Sequence, residues 1–249
     1  MIYKIFAISL LLSGCATIQA PDSFKYQEIE TSFFKIASWQ KITSPQAPYK
    51  IYIEGDGHAF NARGQITQDP TPHGILMREL AFTDPHENII YLARPCQYVK
   101  DPKCEKKYWS TARFSQEVID SEYQAIKSIN INSPLTFIGF SGGAQIAGLL
   151  STQTDLNIKK VITIAGNLDH TAWTSYHHLP PLTESLNLAD KKEEFSHIPQ
   201  HHFIGGKDTV IPPLLSQKFI NDSNLITIIP EASHADGWQK IYQHIRYED

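Results

Sequence analysis

Short apolar blocks recur along this chain, separated by longer stretches that mix apolar and polar residues at helical spacing. The blocks at 49–54, 88–93, 135–140, 160–165, 201–205 and 225–229 are too short for helices and predict strands. A further strand is expected over about 27–40. Between them, 73–83, 113–130, 142–152, 212–221 and 238–247 predict helices. Pro212 and Pro213 suit the first turn of the fourth, where a missing N–H costs nothing. Strands alternating with helices argue for an α/β domain, a mostly parallel sheet covered by helices on both faces. In such a sheet, ligands bind beyond the C-terminal strand ends. The stretch from 168 to about 200 lacks a long period and holds His170, Trp173, Tyr176, His177 and Leu182. It is the expected cap: a small insertion leaving the cleft fairly open. Phe60, Tyr98, Tyr108 and Trp109 fall in other loops at the same end and are candidates to line an apolar pocket.

The chemistry clusters at that end. The block at 135–140 runs into Gly139-Phe140-Ser141-Gly142-Gly143, and a small-residue helix follows. A serine flanked two residues away on each side by glycine, between strand and helix, is the nucleophile elbow. The turn is so tight that only glycine leaves room, and it lifts Ser141 above the strand end. The N–H of Gly142 then points where an oxyanion would form. A general base is expected in the loop after the last strand, where His234 stands. The other histidines are assigned to structural or surface roles: His177 and His178 in a polar loop, His201 and His202 at a strand start, His244 in the last helix. The acid that orients His234 is expected at Asp208, after a strand and the Gly205-Gly206 turn. Asp169 is the alternative acid, one strand earlier, and Asp236 is read as a loop cap. Ser, Asp, His is then the chain order. The second oxyanion donor falls in the loop Gly55-Asp56-Gly57-His58, at Asp56 or Gly57. Arg94, ending another strand, either holds a substrate carboxylate or pairs with Asp56 or Asp169.

From about residue 30 to the end, the chain resembles the Ser-His-Asp α/β-hydrolases. The segments 53–58, 91–98 (Tyr-Leu-Ala-Arg-Pro-Cys-Gln-Tyr), 108–114 (Tyr-Trp-Ser-Thr-Ala-Arg-Phe) and 165–170 are further similar to a group of bacterial envelope lipoproteins of that superfamily. The resemblance implies the α/β-hydrolase fold, the triad and an envelope location, and no particular substrate. The expected activity is hydrolysis of a small-molecule ester, with thioesterase, peptidase, lipase and acyltransferase chemistry open on the same fold. The chemistry requires no metal and no organic cofactor. The alternative from another class is a non-catalytic envelope binding or assembly protein that retains the fold.

The front of the chain bears on location. Residues 1–14 carry Lys4, an apolar stretch too short to span a bilayer, and the approach to Leu12-Ser13-Gly14-Cys15. That reads as a bacterial lipoprotein signal, with Cys15 the lipidation site and residues 15–26 a lipidated tether to a domain over 27–249. Ala16 favours the outer membrane, facing the periplasm. Membrane contact would run through the acyl chains, since two or more of them hold a protein stably. In that oxidising compartment the remaining pair, Cys96 and Cys104, is most simply a disulfide closing a short polar loop. Their spacing lacks the close pairing of common zinc motifs. About 230 residues beyond the signal make one domain of ordinary size. The net charge of −4, without dense lysine or arginine clusters, argues against nucleic-acid partners.

Overall fold

The computed structural model describes residues 19–129 and 132–247. The expected signal segment and Cys15 lie outside them. Eight strands form one sheet: β1 (Lys25–Glu30), β2 (Lys35–Ile42), β3 (Tyr49–Ile53), β4 (Asn88–Leu92), β5 (Leu135–Phe140), β6 (Ile158–Ile164), β7 (Gln200–Gly205) and β8 (Ile226–Ile229). Their spatial order is β1-β2-β4-β3-β5-β6-β7-β8. From β4 to β8 every pairing is parallel, while β1 and β2 are antiparallel to each other and β2 to β4.

The α-helices among the described residues are α1 (Leu76–Thr83), α2 (Gln116–Ser128), α3 (Gly142–Ser151), α4 (His170–Tyr176), α5 (Lys192–Ser196), α6 (Pro213–Phe219) and α7 (Ile241–Tyr247). Strand alternation sends neighbouring residues to opposite faces. Ile51, Ile53 and Phe137 therefore join one core with Val118 of α2, Ala147 of α3, Phe195 of α5 and Phe219 of α6. Tyr52, Ile138 and Ile162 join the other, with Met77 and Leu80 of α1 and Ile241 and Ile245 of α7. Each fully buried Ile, Leu or Phe contributes about 1.5–3 kcal/mol. The central strands are apolar on both faces because both are covered.

Several expected boundaries move. The strand over 27–40 is a hairpin, because Thr31 makes a turn. Its N–H donates to Phe34 O at 3.1 Å, and its hydroxyl accepts from Phe34 N at 3.1 Å. Phe33 and Phe34 continued the apolar pattern across that turn. The folded domain, expected from residue 27, already includes Phe24, which is buried and packs edge-on against Phe82 at 4.9 Å, and β1 starts at Lys25. The helices expected from 73 and 113 begin at Leu76 and Gln116. The insertion over 168–200 is only partly a cap. Leu182, Leu188 and Phe195 are buried in the core beneath it, and α4 is the part that faces the cleft.

Candidate active site

The turn between β5 and α3 places Ser141 at φ 51° and ψ −119°, outside the ordinary regions for a side chain with a Cβ. Such a conformation costs on the order of 1–3 kcal/mol and persists only where its surroundings impose it. They do so here. Ser141 N donates to Ile164 O at 3.0 Å, and its carbonyl accepts from Asn167 N at 3.0 Å. The flanking glycines have no room for more: a Cβ on Gly139 would lie 2.6 Å from Gly143 O, and one on Gly143 2.4 Å from Ile53 O.

His234, after β8, points its Nε2 at Ser141 Oγ, 3.0 Å away, and its Nδ1 at Asp208 Oδ2, 2.9 Å away. Trp238 Nε1 donates to His234 O at 3.1 Å and anchors that loop. The Asp208 side chain is wholly buried, and its other oxygen accepts from Val210 N and Ile211 N, each at 2.8 Å. These bonds fix the orientation of the carboxylate. Asp169, the alternative acid, is used elsewhere. It caps α4 by accepting from Thr171 N at 3.0 Å and Ala172 N at 3.1 Å, and takes a third bond from Asn187 Nδ2 at 2.8 Å. Asp236 closes its own loop, where its N–H donates to Ser233 Oγ at 3.3 Å and its carbonyl accepts from Ser233 N at 2.9 Å.

Gly142 opens α3, so its N–H has no intrahelical acceptor. In the loop after β3, Gly55 N is taken by Glu54 Oε1 and His58 N by Pro70 O. Among the described residues the N–H groups of Asp56 and Gly57 have no acceptor, so both expected donors remain available. Gly57 sits at φ 63°, where a Cβ would lie 2.1 Å from Pro70 O. The Asp56 carboxylate takes the pairing with Arg94 that the sequence offered, and a second partner that it did not suggest. It is held by Arg94 Nη1 at 3.2 Å and by Arg113 Nη1 at 2.7 Å. Burial alone would raise the Asp56 pKa, but the two guanidinium groups outweigh it and the net shift is downward. Arg94 thus makes an ion pair with Asp56, one of the uses open to it. On its other side Glu122 of α2 lies 4.0 Å from Arg94 Nε. Burial pushes that carboxyl up to about 8, and Arg94 at this distance offsets it only in part.

The groups open into a cleft of about 930 Å³ lined by Ser141, His234, Phe60, Arg113, Trp173 and Trp238, among others. Of the aromatic residues expected at the rim, Phe60 and Trp173 line it. Tyr108 and Trp109 are buried in the core, and Tyr98 bonds Tyr91. Cys96 and Cys104 are joined, closing the loop after β4. That loop supports the site: Gln97 Nε2 donates to Gly55 O at 3.0 Å and Gln97 Oε1 accepts from Arg94 N at 3.0 Å. Arg113, Glu122 and Gln97 had no assigned role, because no local pattern marks them and only tertiary packing brings them here. Among the described residues no group of three His, Cys, Asp or Glu side chains could hold a metal ion.

No protein-family model matches the chain, and no curated protein does. Solved structures do. Est1E from Butyrivibrio proteoclasticus superposes with a TM-score of 0.60 at 12% identity, covering 90% of this chain and 96% of that one. A thioesterase domain from the curacin biosynthetic pathway gives 0.58 at 12% identity, covering 90% and 99%. XC6422 from Xanthomonas campestris, described as an α/β serine hydrolase without a lid, gives 0.53 at 10% identity, covering 92% and 93%. The sheet order, the serine at the tip of β5 and these superpositions agree that the chain has the α/β-hydrolase fold.

Proposed function

We propose that this protein is a serine hydrolase that cleaves carboxylic esters through an acyl-enzyme. The observation that carries the reading is the unbroken chain from Ser141 Oγ through His234 to the buried Asp208. Ser141 Oγ attacks the ester carbonyl while His234 Nε2 takes its proton. Asp208 keeps the Nδ1–H tautomer and stabilises the imidazolium. The new oxyanion meets the N–H of Gly142 and of Asp56 or Gly57. Collapse breaks the bond to the alcohol, which leaves with the proton from His234. Water then attacks the acyl-enzyme, giving its proton to His234, and the acid departs as Ser141 recovers its own. Similarity to an esterase and a thioesterase supports the hydrolase class.

The reading extends to location. The segment before Cys15 has the form of a lipoprotein signal, and we place the enzyme on a lipid anchor at the bacterial envelope.

The test is labelling by a fluorophosphonate probe together with hydrolysis of short acyl esters. Wild type should be labelled and active. Ser141→Ala and His234→Ala should lose labelling and about 10⁴-fold or more of turnover while staying folded by circular dichroism. Near-normal turnover in folded Ser141→Ala would remove the mechanism. An unlabelled wild type inert to every ester would favour the binding protein instead.

A further inference from the structure

Arg113 stands in the cleft wall with Ser141 and His234, yet ester cleavage as written gives it no step. Its side chain is only 6% exposed and tightly held. Nε donates to Ser110 O at 2.7 Å and Nη1 to Asp56 Oδ2 at 2.7 Å. The guanidinium lies 5.4 Å from the ring centre of Phe60 and 5.8 Å from that of Trp173. Its Nη2 has no protein acceptor among the described residues. A guanidinium is always charged, and this nitrogen, which is not among the sealed, unpartnered atoms, is a standing donor open to the cleft.

Counting charge sharpens the point. Arg94 and Arg113 share one carboxylate, that of Asp56. Glu122, the next acid, is raised to about 8 by burial and is mostly protonated at neutral pH. Two guanidinium groups thus meet at one carboxylate on this wall. Glu54, Glu79 and Asp236 also line the cleft, and Glu54 interacts electrostatically with Arg94. The charged wall is also near the nucleophile: a Cβ on Gly142 would lie 2.1 Å from Asp56 Oδ1, the carboxylate that Arg113 holds.

We propose that Arg113, framed by Phe60 and Trp173, receives a carboxylate carried by the substrate a few bonds from the scissile carbonyl. The inference rests on the hydrolase reading for the bond that breaks, but not for the binding. A carboxylate oxygen accepts from Nη2 in a charge-assisted bond, and the two rings cover the alkyl spacer. A neutral ester leaves Nη2 unmatched, and a site built to bond a polar group rejects the analogue that lacks it.

Two ester pairs test this. The first sets mono-4-nitrophenyl glutarate against 4-nitrophenyl pentanoate, with charge on the acyl side. The second sets 3-acetoxybenzoate against its methyl ester, with charge on the alcohol side. In at least one pair wild type should favour the anionic ester by about 10–100-fold in kcat/KM, as expected for one charge-assisted bond. Arg113→Gln should collapse that ratio towards one, and Arg113→Lys should restore part of it. The ratio is the readout because loosening of the Asp56 loop slows both esters of a pair alike. Calorimetric titration with glutarate needs no turnover: it should show binding to wild type and none to Arg113→Gln. Binding lost in Arg113→Gln supports the subsite even if no ester is cleaved, an outcome that sinks the hydrolase reading alone. Ratios within about twofold of one in both pairs, or a preference that survives in Arg113→Gln, overturn the subsite while ester cleavage stands.

Discussion

Asp208 and Asp169 are the same side chain in similar places, each in a loop after a parallel strand, and each bonds two backbone N–H groups. What separates them is the third partner: the imidazole of His234 for Asp208, the amide of Asn187 for Asp169. Asp208→Asn should therefore cost far more activity, up to about 10⁴-fold, because an amide favours the wrong tautomer and cannot stabilise an imidazolium. Asp169→Asn should cost little activity and little stability, because an amide Oδ1 accepts the same three bonds and Asn caps a helix as well as Asp. Steady-state kinetics and melting curves of the two variants decide it, and the reverse ranking would move the acid to Asp169. Glu122 carries a different expectation. Its carboxyl titrates near 4.5 when unfolded and at about 8 when folded. Between those values the folded state holds a proton that the unfolded state has released. The stability it contributes is complete below 4.5 and is lost as pH rises through 8. Glutamine keeps the shape without the titration. Glu122→Gln should raise Tm at pH 8, by about 2–4 °C for each kcal/mol recovered, and change it little at pH 4.5. An equal shift at both values would remove the argument.

At the scale of elements, the site is a set of loops pinned to rigid strand ends. The loop after β4 holds Cys96 at φ 69° and Tyr98 at φ 64°, conformations that need external support. The Cys96–Cys104 bridge supplies it, and Gln97 between them carries the restraint to Gly55 and Arg94. Replacing both cysteines with serine should destabilise the protein by about 2–3 kcal/mol, from loop closure in the unfolded chain. It should also lower kcat, because the oxyanion loop loses its support. Denaturant titration and ester kinetics check the two halves, and a stable variant with unchanged kcat would confine the bridge to a surface role. The elbow follows the same rule: β5 and α3 are ordinary elements, and the strain is confined to one residue between them.

At the scale of the molecule, one sheet brings together residues 93 positions apart, Ser141 and His234, because β5 and β8 run parallel with their C-terminal ends on the same side. No helix among the described residues is long and apolar enough to cross a membrane. The proposed membrane attachment rests on Cys15, outside the described residues. Cys15→Ser should yield an unprocessed or soluble protein, because weak surface contact alone does not hold a protein at a bilayer. Fractionation and mass spectrometry of the mature N-terminus check this, and a mature terminus elsewhere than Cys15 would end the anchor proposal.

Local chemistry made part of this legible before any coordinates. Hydrophobic period located β3 to β8 and the helices α1, α2, α3, α6 and α7, but not α4 and α5 within 168–200, since burial on both faces leaves apolar runs that no surface loop carries. Glycine spacing located Ser141, because the turn's steric demand falls on residues adjacent in sequence. Chain order then favoured His234 and Asp208. The hairpin of β1 and β2 was not legible, since Phe33 and Phe34 continue the apolar pattern through the turn that Thr31 makes. Nor could sequence separate cap from core within 168–200, where Trp173 reaches the cleft and Phe195 the interior. Asp56 was read for its backbone N–H and as one candidate partner of Arg94, and only packing revealed Arg113 on the same carboxylate. Period and spacing constrain neighbours along the chain. The cluster at Arg113 joins Asp56 from the loop after β3, Arg94 from the loop after β4 and Arg113 from the loop before α2, and their meeting was decided by the tertiary structure.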